Sequence, residues 1–512
     1  MRQIRLVSAF FTVGAWTMAS RVLGFVRDIM IAAFLGASPA AEAFLVAFSL
    51  PNMFRRFFAE GAFNMAFVPM FSKKLEGGDD PEGFAQDAFA GLAGVLIVVT
   101  VVALIAMPWL VVAMASGFIG DARFDLAVDY GRIAFPYILF ISLAALLSGV
   151  LNATGRFIAA AAAPVLLNVL FVSAMLVAEA MGWPIGDALA VTVPIAGIAQ
   201  LALVWWAAHR AGFTLRPAWP RLTPEIRRLA VIAAPAALAG GVVQINLLVG
   251  RQVASFFDGA IVWLSFADRL YQLPLGVVGI AIGVVLLPDL SRRLQAGDAA
   301  GGQAAFSRAT EIALALTVPA AVALAVIPTP LVAVLFERGA FTAEDTRATA
   351  LAVAVYGLGL PAFVLQKVLQ PLYFAREDTK TPFYYALVAL AVNAVLAIGL
   401  APVVGYIAAA LGTTLAGWAM AYLLWRGSRD MGQAATFDDR FRARIWRILA
   451  ASLIMGAALG GAGYLGAAAF DAGAARYAAL AVLVTGGMVV YFGAGQLVGA
   501  FRLAELRGAL KR

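Results

Sequence analysis

The chain has 512 residues, of which 63% are hydrophobic and only 13% charged, about half the charged share of a soluble domain. That composition excludes a soluble globular protein, and apolar runs of about twenty residues recurring along the whole length demand helices rather than the alternating strands of a barrel. The net charge of +8 sits mainly in short loops, which marks topology and not nucleic-acid binding, while the absence of cysteine excludes disulfides, thiolate metal sites and thiol redox chemistry.

Apolar runs read against Gly, Pro and charge punctuation predict about fourteen spanning helices. They lie near 6–35, 40–72, 86–115, 126–153, 158–181, 187–209, 228–252, 259–291, 305–327, 343–374, 381–401, 405–427, 445–468 and 475–500. The fold class is an all-α polytopic membrane protein. The first run, "MRQIRLVSAFF", opens like a signal sequence but continues past any cleavage site, so it is an uncleaved span. Its "SRVLGFVRDIMIAAFLGAS" (20–38) carries Arg21, Arg27 and Asp28, and the second span carries Glu42, Arg55, Arg56 and Glu60.

A connector rich in Pro and Arg, "HRAGFTLRPAWPRLTPEIRR" (209–228), divides two stretches that resemble each other. "PMFSKKLEGGD" (69–79) matches "PDLSRRLQAGD" (288–298), Pro108 parallels Pro330, and Asn168 parallels Asn393, each displaced by about 220 residues, the mark of an internal repeat. Two six-span copies with an even number of spans face the same way, so their pseudo-two-fold axis should run along the membrane normal. The second copy holds Arg251, Asp268, Arg269 and Lys367 inside its spans. A second connector, "RGSRDMGQAATFDDRFRARIWR" (426–447), precedes two last helices with the small-residue runs "GAALGGAGYLGAAA" (456–469) and "GGMVVYFGAGQLVG" (486–499), which permit close helix contact or a groove for a lipid tail. The expected lobes are 1–215, 216–430 and a terminal pair at 431–512. Lys and Arg concentrate in one set of alternate loops together with both termini, which puts the termini in the cytoplasm.

Each Arg near a helix centre costs roughly 2.5 to 3.5 kcal/mol against lipid. The basic residues inside the spans (Arg21, Arg27, Arg55, Arg56, Arg251, Arg269, Lys367) outnumber the acids Asp28, Glu42, Glu60 and Asp268. They must face water or each other, and a fixed excess of guanidinium suits an anion with multidentate oxygens, a phosphate or carboxylate. Ordinary structural roles stand beside that reading. Arg21 and Asp28, seven apart, share a helical face; Arg56 and Glu60 have the spacing of a helix ion pair; Arg27 and Lys367 can snorkel to an interface. His209, with Trp205, Trp206 and Arg210, fits an interfacial aromatic belt, and Asp79, Asp80, Asp438 and Asp439 fit solvated loops.

With these residues assembled, the chain resembles the lipid II flippase family, MurJ or MviN, of the multidrug/oligosaccharidyl-lipid/polysaccharide (MOP) exporter superfamily. The motifs are "SRVLGFVRD" (20–28), "AFLVAFSLPNMFRRFFAEGAFNMAFVP" (43–69), "LNATGRF" (151–157) and "FADRLYQLPLGVVGIAIGVVLLPDLS" (266–291). The resemblance implies a MATE-like fold of two six-helix lobes plus two terminal helices that groove a prenyl tail. It implies a non-enzymatic flippase of the bacterial inner membrane that moves the diphosphate-sugar-peptide headgroup of the undecaprenyl-linked peptidoglycan precursor outward by alternating access, for cell-wall synthesis. By matching motif, Arg21, Arg27, Arg55 and Arg269, with Arg251, Asp28 and Glu60, fall on substrate-binding positions, and Glu42 on the outer mouth. Asp378 and Asn393 fall where some members bind sodium, and sodium or chloride is the expected counter-ion. The expected partners are lipid II, membrane lipids and the wall-synthesis machinery, with the protein a monomer that takes no cofactor. Another exporter of the superfamily, for lipid-linked polysaccharide or drugs, is the alternative, although a cation exporter should carry excess acid in its cavity. A polyprenyl-diphosphate enzyme would need a carboxylate or histidine cluster in its spans, and a scaffold would tolerate Arg21→Ala or Arg269→Ala.

Overall fold

The computed structural model describes residues 6–56, 62–216, 218–470 and 473–501, with the backbone alone at 6–11, 62–65, 234–246 and 277–285. Apolar runs in lipid leave backbone groups no partner but one another, and among the described residues there is no strand. Contacts divide the chain into two compact units that meet in sequence between Val262 and Trp263.

The first unit contains α1 (Leu6–Leu35), α2 (Pro39–Arg55), α3 (Ala62–Gly77), α4 (Pro81–Ile105), α5 (Met107–Ala115), α6 (Ala122–Ala134), α7 (Tyr137–Ala153), α8 (Ile158–Met181), α9 (Ile185–Arg210) and α10 (Pro224–Ala254). α8 and α9 pack together, α7 on α9, α1 on α8, α2 on α6, and α10 chiefly on α3, with smaller contacts to α4 and α5. The second unit takes almost all of α11 (Ala260–Gln295), then α12 (Ala299–Val326), α13 (Pro328–Phe336), α14 (Ala343–Phe374), α15 (Lys380–Val404), α16 (Ile407–Ser428), α17 (Asp439–Leu465), α18 (Ala467–Phe470) and α19 (Ala475–Leu497). Here α15 packs on α16, α14 on α16, and α12 on both α14 and α17, with α17 against α19.

The internal repeat appears element by element. The nine-residue α5 and α13 each follow a long helix, and α8 and α9 recur as α15 and α16 about 220 residues on, as the matched motifs require. Caps set many of the starts: Asp80, Thr223, Asp298 and Asp438 each accept a backbone N–H of the first turn, and Thr342 with Asp345 forms a capping box.

Ten helices among the described residues are long and apolar enough to cross a membrane. The other four expected spans fall on α1, on α2 with α3, on α10 and on α11, each of which includes residues described without side chains or not at all. Several boundaries differ from expectation because proline removes a ladder donor. The run expected at 86–115 breaks at Ala106 into α4 and α5, with Pro108 in the first turn of α5. The run expected at 126–153 starts at Ala122 and bends at Phe135–Pro136, between α6 and α7.

The connector after α9 is docked on α4. Glu82 Oε1 accepts from Thr214 N at 3.2 Å, and Gln86 both accepts from Arg216 N at 2.7 Å and donates to Arg216 O. Phe213 packs edge-on to Phe71 at 5.6 Å, and Leu215 is buried. Past residue 217, Pro220 lies so close to Gly94 that a Cβ there would come within 2.7 Å of its ring, and Ile226 sits beside Gly91.

Candidate functional site

Arg27 is bonded wholly within the first unit. It and Asp28 are both buried, and its Nε and one terminal nitrogen donate to Asp28 Oδ1 at 3.0 and 2.7 Å. The other terminal nitrogen donates to Asn168 Oδ1 on α8 at 3.1 Å, and the guanidinium lies 5.7 Å from the centre of the Phe171 ring. Asn168 in turn donates to Ser20 O at 3.0 Å and fits against Gly24. Asn168, Arg27 and Asp28 thus clamp α1 to α8 with each charge compensated.

Arg21, six residues earlier and about 120° around the helix, is exposed, flanked by exposed Met18 and Val22. Among the described residues no acid pairs with it. Arg55, half-buried at the end of α2, donates to Asn52 Oδ1 at 3.3 Å, while Arg56 beyond it is exposed. Arg251 is half-buried in the last turn of α10. Glu60 lies outside the described residues.

Glu42 sits at the start of α2, 1% exposed, and is held from two directions. Arg123 on α6 donates to Glu42 Oε2 at 3.0 Å, and Ile261 N donates to Glu42 Oε1 at 3.2 Å. The same guanidinium binds Asp121 at 2.6 Å and Asp258 at 3.0 Å and lies 4.6 Å from the Phe118 ring. Hydrogen bonding from Arg123 holds the Asp121 carboxyl below its usual range. Close by, Gly117 N donates to Ser255 Oγ at 3.0 Å, and a Cβ on Gly117 would meet the Ser255 backbone at 2.5 Å. Arg123 is not among the residues that the sequence singles out as functional. The signal was the close run of charges in "GDARFD" (120–125), which allows one guanidinium to face several carboxylates.

In the second unit, Arg269 is exposed on α11, beside a half-buried Asp268 that accepts from Gln272. Two residues along and about 160° around the helix, Tyr271 packs against Tyr356 and Phe363 at 5.1 and 5.7 Å, which holds the face opposite Arg269. Lys367 is exposed on α14. A second unanticipated node is Glu311 on α12, nearly buried, which takes Arg444 at 2.7 Å and Arg440 at 3.4 Å from the first turns of α17.

The sodium pairing expected of Asp378 and Asn393 does not form. Asp378 lies before α15 and accepts from Thr381 N at 3.0 Å, and the Thr381 hydrogen bonds hold its carboxyl below the usual range. Asn393 is fully buried in the middle of α15, against Gly412 of α16. Thirteen residues of helix separate it from Lys380, about 20 Å at the helical rise, too far for one ion to bind both. Among the described residues no three His, Asp or Glu side chains form a metal cluster.

The loop acids behave as expected of solvated groups: Asp79 pairs with Lys74 at 3.1 Å, and Asp80 and Asp438 cap helices. His209 is exposed and meets Thr214 Oγ1 at 3.2 Å. Arg21 on α1 and Arg269 on α11 present exposed guanidiniums on apolar helices, a group suited to a multidentate anion.

Comparison with known proteins gives this arrangement a context. Residues 31–483 match the family described as lipid II flippase MurJ. A probable lipid II flippase MurJ of Rhizobium tropici is 43% identical, over 99% of this chain and 97% of its own. The lipid II flippase MurJ of Burkholderia cenocepacia is 36% identical over 84% of this chain and 85% of its own. Among solved structures, a lipid II flippase MurJ in an inward closed conformation superposes with a TM-score of 0.79 at 25% identity, covering 95% of this chain and 98% of that one. An inward-facing MATE transporter of the MOP superfamily gives 0.66 at 13% identity, over 83% of this chain and 99% of that one, a likeness of fold.

Proposed function

This chain belongs to the lipid II flippase MurJ family, and from that premise we propose how its charged residues divide the work of moving that lipid. The protein is a multi-pass membrane transporter of lipid II. In this reading Arg21, Arg55 and Arg269 grip the diphosphate, whose oxygens replace water around each guanidinium. Arg27 and Asp28 keep α1 seated on α8 so that Arg21 is presented at a fixed height. Glu42, through Arg123, ties the outer ends of α2 and α6 to the turn before α11, and Arg251 flanks the headgroup. The prenyl tail runs along α17 and α19. The chain lies in the bacterial inner membrane as a monomer with both termini in the cytoplasm, makes and breaks no covalent bond, and works beside the wall-synthesis machinery.

The observation that carries this reading is Arg21: an exposed guanidinium on an apolar helix, with no acid paired to it among the described residues. A cation so placed is costly unless an anion visits it. The test is replacement in cells depleted of their own flippase, following precursor that becomes accessible at the outer surface. The wild-type chain restores it, whereas Arg21→Ala and Arg269→Ala, present at normal levels in the membrane, restore less than a tenth. Restoration by both variants at the wild-type level overturns the assignment.

A further inference from the structure

The last helix of each repeat ends in the same side-chain device. On α9 the Arg210 guanidinium lies 4.1 Å from the centre of the Trp206 ring, and on α16 that of Arg429 lies 3.9 Å from the Trp425 ring. Both pairs are spaced i, i+4, and about 220 residues separate them, the displacement of the repeat itself. All four side chains are exposed. Neither arginine makes an ion pair among the described residues, and Asp430, adjacent to Arg429, does not engage it. Each site has a further exposed cation at hand: Arg156 donates to Arg210 O at 3.2 Å, and Arg426 lies one position beyond Trp425.

Below Arg210 the surface changes character. An open, almost wholly apolar groove of about 520 Å³ runs along α9, lined by Ile198, Leu201, Trp205 and Trp206, with His209 at its rim. Phe89 holds Trp205 at 5.2 Å, which leaves Trp206 turned outward. An indole at the membrane boundary with a guanidinium stacked on it presents fixed positive charge directly above hydrocarbon. That order, cation above apolar groove, is the order of an anionic phospholipid, phosphate above acyl chain.

We propose that the ends of α9 and α16 are a duplicated pair of sites for anionic glycerophospholipid of the inner leaflet, with Arg210 and Arg429 binding the phosphate and the stacked Trp206 and Trp425 seating the glycerol region. The proposal rests on the cytoplasmic orientation given above and uses none of the residues assigned to lipid II. A neutral-headgroup lipid fits the groove but leaves the guanidiniums unanswered.

The test uses the purified full-length protein in neutral detergent, titrated with phosphatidylglycerol or phosphatidylcholine and read by native mass spectrometry, with thermal melting to check the fold. Phosphatidylglycerol is retained in up to two copies at lower concentration than phosphatidylcholine. Arg210→Gln or Arg429→Gln removes one copy by weakening it about fivefold, the effect of one basic residue near an anionic surface. The double variant loses both, and Arg210→Lys with Arg429→Lys keeps most of the binding. Equal retention of the two lipids, or wild-type phosphatidylglycerol binding by a folded double Gln variant, overturns the proposal. Transport is not read, so failure of the flippase assignment leaves this result unaffected.

Discussion

Arg21 and Arg27 are chemically identical and lie on one helix, yet their surroundings divide them. Arg27 meets a carboxylate, a carboxamide and an aromatic face, so each of its three guanidinium nitrogens donates inside the protein. Removing one partner of such a buried pair leaves a charge with no compensation. Asp28→Asn is expected to cost about 3 kcal/mol, measured as a lowered unfolding midpoint of the purified protein, while Arg27→Ala combined with Asp28→Ala costs less than the sum of the two single changes. This partition was not legible in the sequence. Helical geometry set Asp28 beside Arg21, seven residues away, and about 100° from Arg27. A guanidinium on a three-carbon stem can turn back onto its own neighbour, and Asn168, 141 residues on, decides that it does.

At the scale of elements, apolar runs with clean ends were readable to within a few residues. The span expected at 158–181 is α8 as observed, and that at 475–500 is α19 ending at Leu497. The run at 86–115 was not, because Pro108 falls in the first turn of α5, where proline starts a new helix as readily as it kinks an old one; hence α4 and α5 were read as one. The start of α17 was placed late, at 445 rather than Asp439, because its first turns carry arginines that look like loop charges. Two of them, Arg440 and Arg444, are half-buried against Glu311, from a helix far away in sequence. Glu311→Ala is therefore expected to cost about 3 kcal/mol and to loosen the head of α17, so that trypsin cuts the connector at 429–440 faster in membranes opened to the cytoplasmic side. Unchanged cleavage would show that packing at Phe437, Phe441 and Ile448 holds α17 without the ion pairs.

Over the whole molecule, the duplication and the excess of positive charge were legible from spacing and counting, whereas the pairing of Asp378 with Asn393 was misjudged because two residues close in sequence stood about 20 Å apart along a helix. A cargo diphosphate carries about two negative charges, so an inside-negative potential of 100 mV favours its outward passage by about 4.6 kcal/mol if both cross the full field. Collapsing the potential with an ionophore is expected to slow the appearance of precursor at the outer surface severalfold without changing the amount of flippase. An unaltered rate would mean that charge does not cross with the headgroup.

The connector between the repeats has a bearing on how the protein can be assembled. Its backbone is gripped upstream of residue 217 by Glu82 and Gln86, and downstream Pro220 and Ile226 rest on glycines of the same helix. Severing the peptide chain at that point would leave both new ends seated on α4. Continuity of the polypeptide is thus redundant there with what the side chains already hold, and the two repeats are of a kind that separate genes could supply as fragments that find each other.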